Sequence, residues 1–479
     1  MNPESRSKRP FLRHAVPSLI AGGLLSAASI AKADFVPVPL PDPQIPGYTF
    51  PESESTILKW VADSSVTDPT VSSAANNKIY LHGWGLWASL TAETDQVDNG
   101  QKLRVFETWL TPQDIIAASA KAATPNLLQL KRPERPQLEE FHQFKHRKGK
   151  DPHLKANGTN GTETVLGFVK YDPTAADHIM KQGLLKKSVL DQLLSYGADQ
   201  IPVFPVTGLS LKPVFQVIKQ SDLIDGRYYQ LPVWPGPPPT PQQWSSEKWP
   251  GSVWIDVKGG GAGKGKIDTK PAKDGSSRTD ETTYPVASLI NFRLNAGQAD
   301  ALKAQKATEG DYAILVAMHV AGREITRWTW QTFWWTPTPE NPLEPSSVAI
   351  AKARPSQLQG APANYALSIA YTTELPSPPY VGGSNSGNSI YAYNPWLEAG
   401  FGPSDLPDSI PGTYNGQPVS NNYGVQTNCM SCHGAANYNP KNLSDAPDYS
   451  GDRYISLADP RFDGTLKVDF LWSIPGNAK

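Results

Sequence analysis

Cysteine is nearly absent from this chain. Its 479 residues hold two, Cys429 and Cys432. That excludes a disulfide framework, which needs several spaced pairs. It also excludes a four-cysteine zinc site, because there is no second C-x-x-C. Methionine is scarce at 4 residues, and histidine stands at 8. A dominant charge of one sign is missing too, with 44 Lys and Arg against 45 Asp and Glu. A nucleic-acid binder would carry a basic excess, so that class is excluded. After Ala33 no apolar run is long enough to cross a bilayer, and no transmembrane segment is expected there.

What is present begins at the amino terminus. Arg6, Lys8, Arg9 and Arg13 precede the apolar run "AVPSLIAGGLLSAASI", and small residues follow at Ala31 and Ala33. A basic region, a short apolar core and an A-x-A site make a secretory signal peptide, residues 1–33. The run is short and rich in Gly and Ser, which disfavours a retained anchor. "SKRPFLR" approaches a twin-arginine signal, but Lys8 stands where the first arginine belongs, so the general secretory route is expected. Without this segment the remaining chain is mildly acidic, about −5, and is expected in the periplasm.

The remainder exceeds what one hydrophobic core usually serves. Its 46 prolines and 14 tryptophans disfavour a helical bundle and suit strands with a large aromatic core. The expected fold class is α+β, mainly β. Residues 34–75 read as a proline-rich arm, with 34–53 as an extended arm or tether. Residues 76–340 read as a β-rich body with helical insertions, and 341–479 as a coil-rich carboxyl-terminal region. Residues 76–91, "NNKIYLHGWGLWASLT", suggest an aromatic-faced helix that two glycines weaken. Residues 103–110 alternate like a strand. Thr111, Pro112 and Asp114 open a capped helix, and 172–198 read as two short helices. "LKPVFQVIK", "SVWIDVKG", "SLINFRL", "YAILVAMHV" and "EITRWTWQTFWW" are strand candidates. Asn295 caps a further helix. Residues 131–164 read as a charged surface insertion, 231–251 as a proline-rich loop and 258–283 as a flexible glycine-rich one.

Both cysteines sit in "QTNCMSCHGAANY", with His433 directly after the second. C-x-x-C-H is the attachment sequence of a c-type haem. Two thiols add across the two vinyl groups, and a two-residue spacer lets both sulfurs reach one ring. The adjoining His433 then lies under the iron as proximal ligand. The alternatives are weaker. A disulfide between the pair would close a tiny loop and leave His433 unexplained. A thioredoxin-type pair wants a βαβ setting, whereas this stretch is coil-like. The expected cofactor is one haem c, covalent through Cys429 and Cys432. Attachment happens outside the cytoplasm, in agreement with the signal peptide.

The sixth ligand is less determined. Only 46 residues follow His433, and they hold neither Met nor His. The final stretch reads as turns and a strand, so an ordinary small cytochrome c fold is not expected. Upstream candidates are His82, His178, Met180, Met318, His319 and the insertion histidines His142, His146 and His153. Met318 and His319 are adjacent on a strand and face opposite sides, so at most one meets a haem. His319 is the preferred distal candidate, because a histidine in an apolar strand needs a partner for its ring nitrogens. Trp328, Trp330, Trp334 and Trp335 either wall the haem or fill a core.

The segments "HGWGLWASLTAET", "VFETWLTPQD", "MHVAGREITRWTWQTFWW", "YNPWLEAGF" and "NCMSCHGAA" together resemble a family of bacterial exported cytochrome c-like proteins with a single C-x-x-C-H near the carboxyl end. The resemblance implies haem attachment at Cys429, Cys432 and His433, and a shared strand containing His319. It implies no substrate. The function expected is a periplasmic monohaem c-type cytochrome that passes one electron to or from a redox partner protein. The alternative is a haem c-dependent oxidoreductase or gas sensor with an open distal iron site. A non-haem binding protein with a structural disulfide is the third possibility.

Overall fold

The computed structural model describes residues 36–64, 73–121, 165–238, 242, 244–303, 306–371, 392–400, 412–414, 417–419, 429–441 and 456–479. The expected signal peptide, the charged insertion with His142, His146 and His153, and the side chain of Cys432 lie outside the described residues. The rest falls within one compact unit, Asp34–Lys479. The fold is α+β, as expected, and is organised around one antiparallel sheet.

That sheet has seven strands among the described residues. Its middle is the central strand Tyr312–Gly322, buried over nearly its whole length. On one side it pairs with the tryptophan strand Thr329–Trp335, which pairs in turn with the edge strand Tyr365–Ala370. On the other side it pairs with the long strand Leu209–Ile218. Short strands at Val165–Gly167, Lys170–Tyr171 and Asn291–Arg293 complete it. These segments are dense in β-branched and aromatic residues, which suit a pleated surface covered on both faces. A second, three-stranded sheet joins Tyr228–Pro232, Ser252–Asp256 and Thr283–Pro285.

One face of the main sheet is covered by the long helix Ala74–Thr91, capped by the Ser73 hydroxyl, which accepts from Asn76 N. Its two glycines lower helix propensity, but each marks a close approach. A Cβ on Gly83 would sit 3.1 Å from both Ile369 Cδ1 and Leu367 Cδ2 of the edge strand. A Cβ on Gly85 would sit 2.1 Å from Tyr48 Cδ2. Packing therefore recovers what propensity gives up. Trp87 stacks on Phe333 with centroids 4.3 Å apart, and Trp84 tilts against the same ring.

The helix starts are legible in the sequence. Thr111 and Asp114 bond reciprocally ahead of Pro112–Lys121. Asp172 accepts from Thr174 N and Ala175 N ahead of Pro173–Gln182, which Gly183 ends at φ 66°. Asn295 and Gln298 form a capping box on Ala296–Ala301.

Three expectations change. Residues 103–110 are not one strand, because Gln101–Arg104 gives way to a 3-10 turn at Val105–Thr108. Glu107 Oε2 accepts from Arg104 N there, and the buried Lys170 Nζ bonds the Glu107 and Trp109 carbonyls. The amino-terminal arm is docked rather than a tether. Val38 N donates to Thr108 Oγ1, Val38 O accepts from Trp109 Nε1, and Glu52 N donates to Glu324. It also contains the helix Glu54–Asp63. The glycine-rich loop is pinned: Gly260 N, Ala262 N and Gly263 N donate to Asp256, Asp280 O and Thr283 O. These donors are spent inside the fold, so the loop is held rather than flexible.

Candidate functional site

Strand alternation decides which of Met318 and His319 meets the motif. Met318 lies opposite Phe333, whose ring packs on the long helix, so the buried Met318 belongs to the helix-covered face. His319 lies opposite Thr332 and Lys212 and belongs to the other face.

The motif helix Cys429–Gly434 lies on that other face. The His433 ring packs on Trp330 of the tryptophan strand, centroids 4.0 Å apart. Its Nδ1 bonds the Phe470 carbonyl at 2.6 Å. A carbonyl only accepts, so Nδ1 carries the proton and Nε2 keeps the lone pair. Burial pushes the His433 pKa down to about 3, against the pull of the Phe470 carbonyl and with help from His319 and Lys212 nearby. The imidazole is therefore neutral at ordinary pH, which is the form that binds a metal.

Segment 392–400 ties the motif helix to the sheet. Ala392 O accepts from Cys429 Sγ at 3.2 Å. Asn394 Nδ2 donates to Thr332 Oγ1 and to Phe333 O. Glu398 spans the remaining gap, with Oε2 accepting from Asn394 N and Oε1 lying 2.8 Å from His319 Nε2. The other ring nitrogen of His319, Nδ1, is buried and has no hydrogen-bond partner.

The Phe470 carbonyl reaches His433 through an unusual backbone. Asp469 has φ 47° and Phe470 has φ 68°. Two successive non-glycine residues in the left-handed region cost about 1–3 kcal/mol each. Asp469 is held by Arg323 Nε at 3.0 Å and by Phe204 N at 2.9 Å. A cleft of about 170 Å³ adjoins this corner, lined in part by Arg323, Thr326, Gly434, Ala436 and Asp469.

The other candidates stand elsewhere. His82 is on the helix-covered face, with Nδ1 2.7 Å from Tyr371 Oη and Nε2 3.0 Å from Glu324 Oε1. His178 Nε2 bonds Pro202 O, and its ring packs on Phe204. Met180 packs against the main core. Of the four tryptophans Trp330 touches the motif histidine. Trp328 meets Phe204 edge-on and Trp335 meets Tyr284, both as core contacts.

Sequence reasoning missed Glu398, Asn394, Arg323, Asp469 and Phe470. The first two lie in "YNPWLEAGF", where the turn signal was visible but its partner was not. The last three carry no local signal. Among the described residues, no group of three or more His, Cys, Asp or Glu side chains is placed to hold a bare metal ion. The donors instead suit a haem c. One neutral imidazole has its Nε2 lone pair spare, the Cys429 thiol lies on the same short helix, and a buried unpartnered nitrogen, His319 Nδ1, lies on the same sheet face. No family model, no curated protein and no solved structure matches this chain. No helix among the described residues is long and apolar enough to cross a membrane.

Proposed function

We propose that the chain is an exported, periplasmic monohaem c-type cytochrome, with haem attached through Cys429 and Cys432 and carried by His433. The reading agrees with the C-x-x-C-H spacing and with the basic, then apolar amino terminus. The observation that carries it is the bond between His433 Nδ1 and Phe470 O, which leaves Nε2 as the metal-binding atom. When bound, a haem c supplies a one-electron iron couple. The chain's own residues do the rest. Phe470 orients the His433 ring, Trp330 backs it, and Ala392 O would hold the Cys429 thiol in place before attachment. A redox partner protein would take or give the electron.

The test is a haem stain of the exported protein in a denaturing gel, followed by the reduced spectrum with and without carbon monoxide. A stained band and a spectrum indifferent to carbon monoxide support electron transfer with two strong axial ligands. An unstained wild-type band refutes the proposal.

One observation favours the second reading, an oxidoreductase or gas sensor with an open sixth position. His319 Nε2 is already held by Glu398. A histidine paired with a carboxylate is oriented for proton transfer as readily as for ligation. A shift of the spectrum on adding carbon monoxide would select this reading.

A further inference from the structure

We infer that Arg323 and Asp469 are positioning residues that aim the Phe470 carbonyl at His433 Nδ1 and thereby set the electron-donating strength of that histidine. The inference rests on the haem reading above and extends it to residues far from the motif in sequence.

The geometry is a short chain of contacts. Arg323 follows the central strand directly. Its Nε bonds Asp469 Oδ2 at 3.0 Å, and one further guanidinium nitrogen bonds Ile325 O, so the head group is fixed at both ends. The Asp469 carboxylate accepts a second bond from Phe204 N, and its side chain is 1% exposed. Asp469 and Phe470 both hold positive φ, a conformation that a non-glycine pair keeps only when its surroundings impose it. The result is a carbonyl 2.6 Å from His433 Nδ1. Leu471 N and Ile474 N turn back onto Val468 O and Leu471 O, so the Phe470 carbonyl is left to the histidine by the local backbone bonding.

A stronger bond from Nδ1–H to a carbonyl makes the imidazole a better donor through Nε2. A better donor favours the ferric state and lowers the midpoint potential. Arg323 and Asp469 touch neither His433 nor the cysteines in any described contact, so their effect passes through the Phe470 peptide.

The experiment compares Asp469→Asn and Arg323→Gln with wild type in the holoprotein. Asn tolerates the left-handed region but loses the ionic partner. Both variants should raise the midpoint potential, and Arg323→Lys should return part of the shift. Asp256→Asn is the control. It breaks a comparable pair, Arg227 with a carboxylate 1% exposed, on the second sheet, and should leave the potential unchanged. Nitrogen-15 spectra of His433 in the haem-free protein, assigned with His433→Ala, supply a second readout. The ratio of the Nδ1-protonated to the Nε2-protonated tautomer should fall about tenfold or less in the two variants, the worth of one ordinary hydrogen bond.

Potentials and tautomer unchanged in Asp469→Asn and Arg323→Gln would overturn the inference, as would an equal shift from Asp256→Asn. Should wild type carry no haem, the functional reading fails by itself, and the tautomer ratio alone decides the inference. If Asp469→Asn does not fold, the contrast between Arg323→Gln and Arg323→Lys decides it.

Discussion

Each face of the main sheet has a histidine beside a glutamate, and the two are bonded and buried differently. On the helix-covered face, His82 bonds Tyr371 with one nitrogen and Glu324 with the other. Gln331 Nε2 donates to the same Tyr371 oxygen, and Thr329 Oγ1 and Glu52 N complete Glu324. The His82 and Glu324 side chains are 2% and 0% exposed. On the opposite face, His319 bonds Glu398 with one nitrogen, keeps the other unpartnered, and is 19% exposed. A buried histidine with both ring nitrogens bonded does structural work, because freeing either partner would cost free energy. A half-saturated histidine beside a second histidine with a spare lone pair is what a binding site looks like before its ligand is counted. Both places pair a histidine with a glutamate, but His82 projects from the covering helix and is fully bonded and buried, whereas His319 projects from the central strand, is partly exposed and is bonded on one side.

The largest effect expected belongs to the motif face. Replacing Cys429 and Cys432 together by Ala should abolish covalent haem, while the His82 face and its contribution to folding stay intact. A haem-stained band in a denaturing gel of that variant would contradict the assignment. Next comes the saturated face. His82→Ala leaves Glu324 and Tyr371 buried without their shared partner and should cost about 3–5 kcal/mol in denaturant unfolding. The visible spectrum should not change; a spectral change would put His82 near the haem and undo the comparison.

Gly85→Ala probes the same face by volume rather than by charge. The added methyl meets the Tyr48 ring at 2.1 Å, so a loss of about 1–3 kcal/mol is expected. An unchanged unfolding midpoint would mean that the docked arm gives way freely. His319→Ala should cost only about 0–1 kcal/mol, as for a partly exposed pair. Under the electron-transfer reading its spectrum turns from low spin to high spin. An unaltered spectrum removes His319 from the iron.

The smallest effect is in acid. Burial works to raise the Asp256 pKa, but the Arg227 guanidinium and the N–H groups of Lys258 and Gly260 outweigh it and hold the carboxyl below its usual value. A folded pKa below the unfolded one stabilises the protein above the unfolded value of 3.8, and this stabilisation is lost as pH falls further. Asp256→Asn should therefore flatten the acid limb of the unfolding curve below about pH 4. A limb of undiminished slope would show that Asp256 is not its source.

Much of the fold was legible because its determinants are local. The caps at Thr111, Asp172 and Asn295 act within three residues of themselves. The strands at Leu209–Ile218 and Tyr312–Gly322 are dense enough in apolar residues to be read without partners. The glycines of the long helix were harder. Gly83 and Gly85 count against a helix when it is read alone and favour it once Leu367, Ile369 and Tyr48 are in contact. The proline-rich arm read as a tether because what holds it, Thr108, Trp109 and Glu324, is remote in sequence.

By itself the sequence determined that the two cysteines and His433 stand together in one C-x-x-C-H run, and that Met318 and His319 cannot share a face. Both follow from spacing along a single segment, over which the backbone geometry leaves few choices. Only the tertiary structure decided which histidine shares the motif face and what anchors His433. His433 meets Phe470 across 37 residues, His319 meets Glu398 across 79, and Arg323 meets Asp469 across 146. Such bonds form because the sheet brings distant segments together and burial makes an unpartnered polar group costly, and neither condition is written in the residues near the motif.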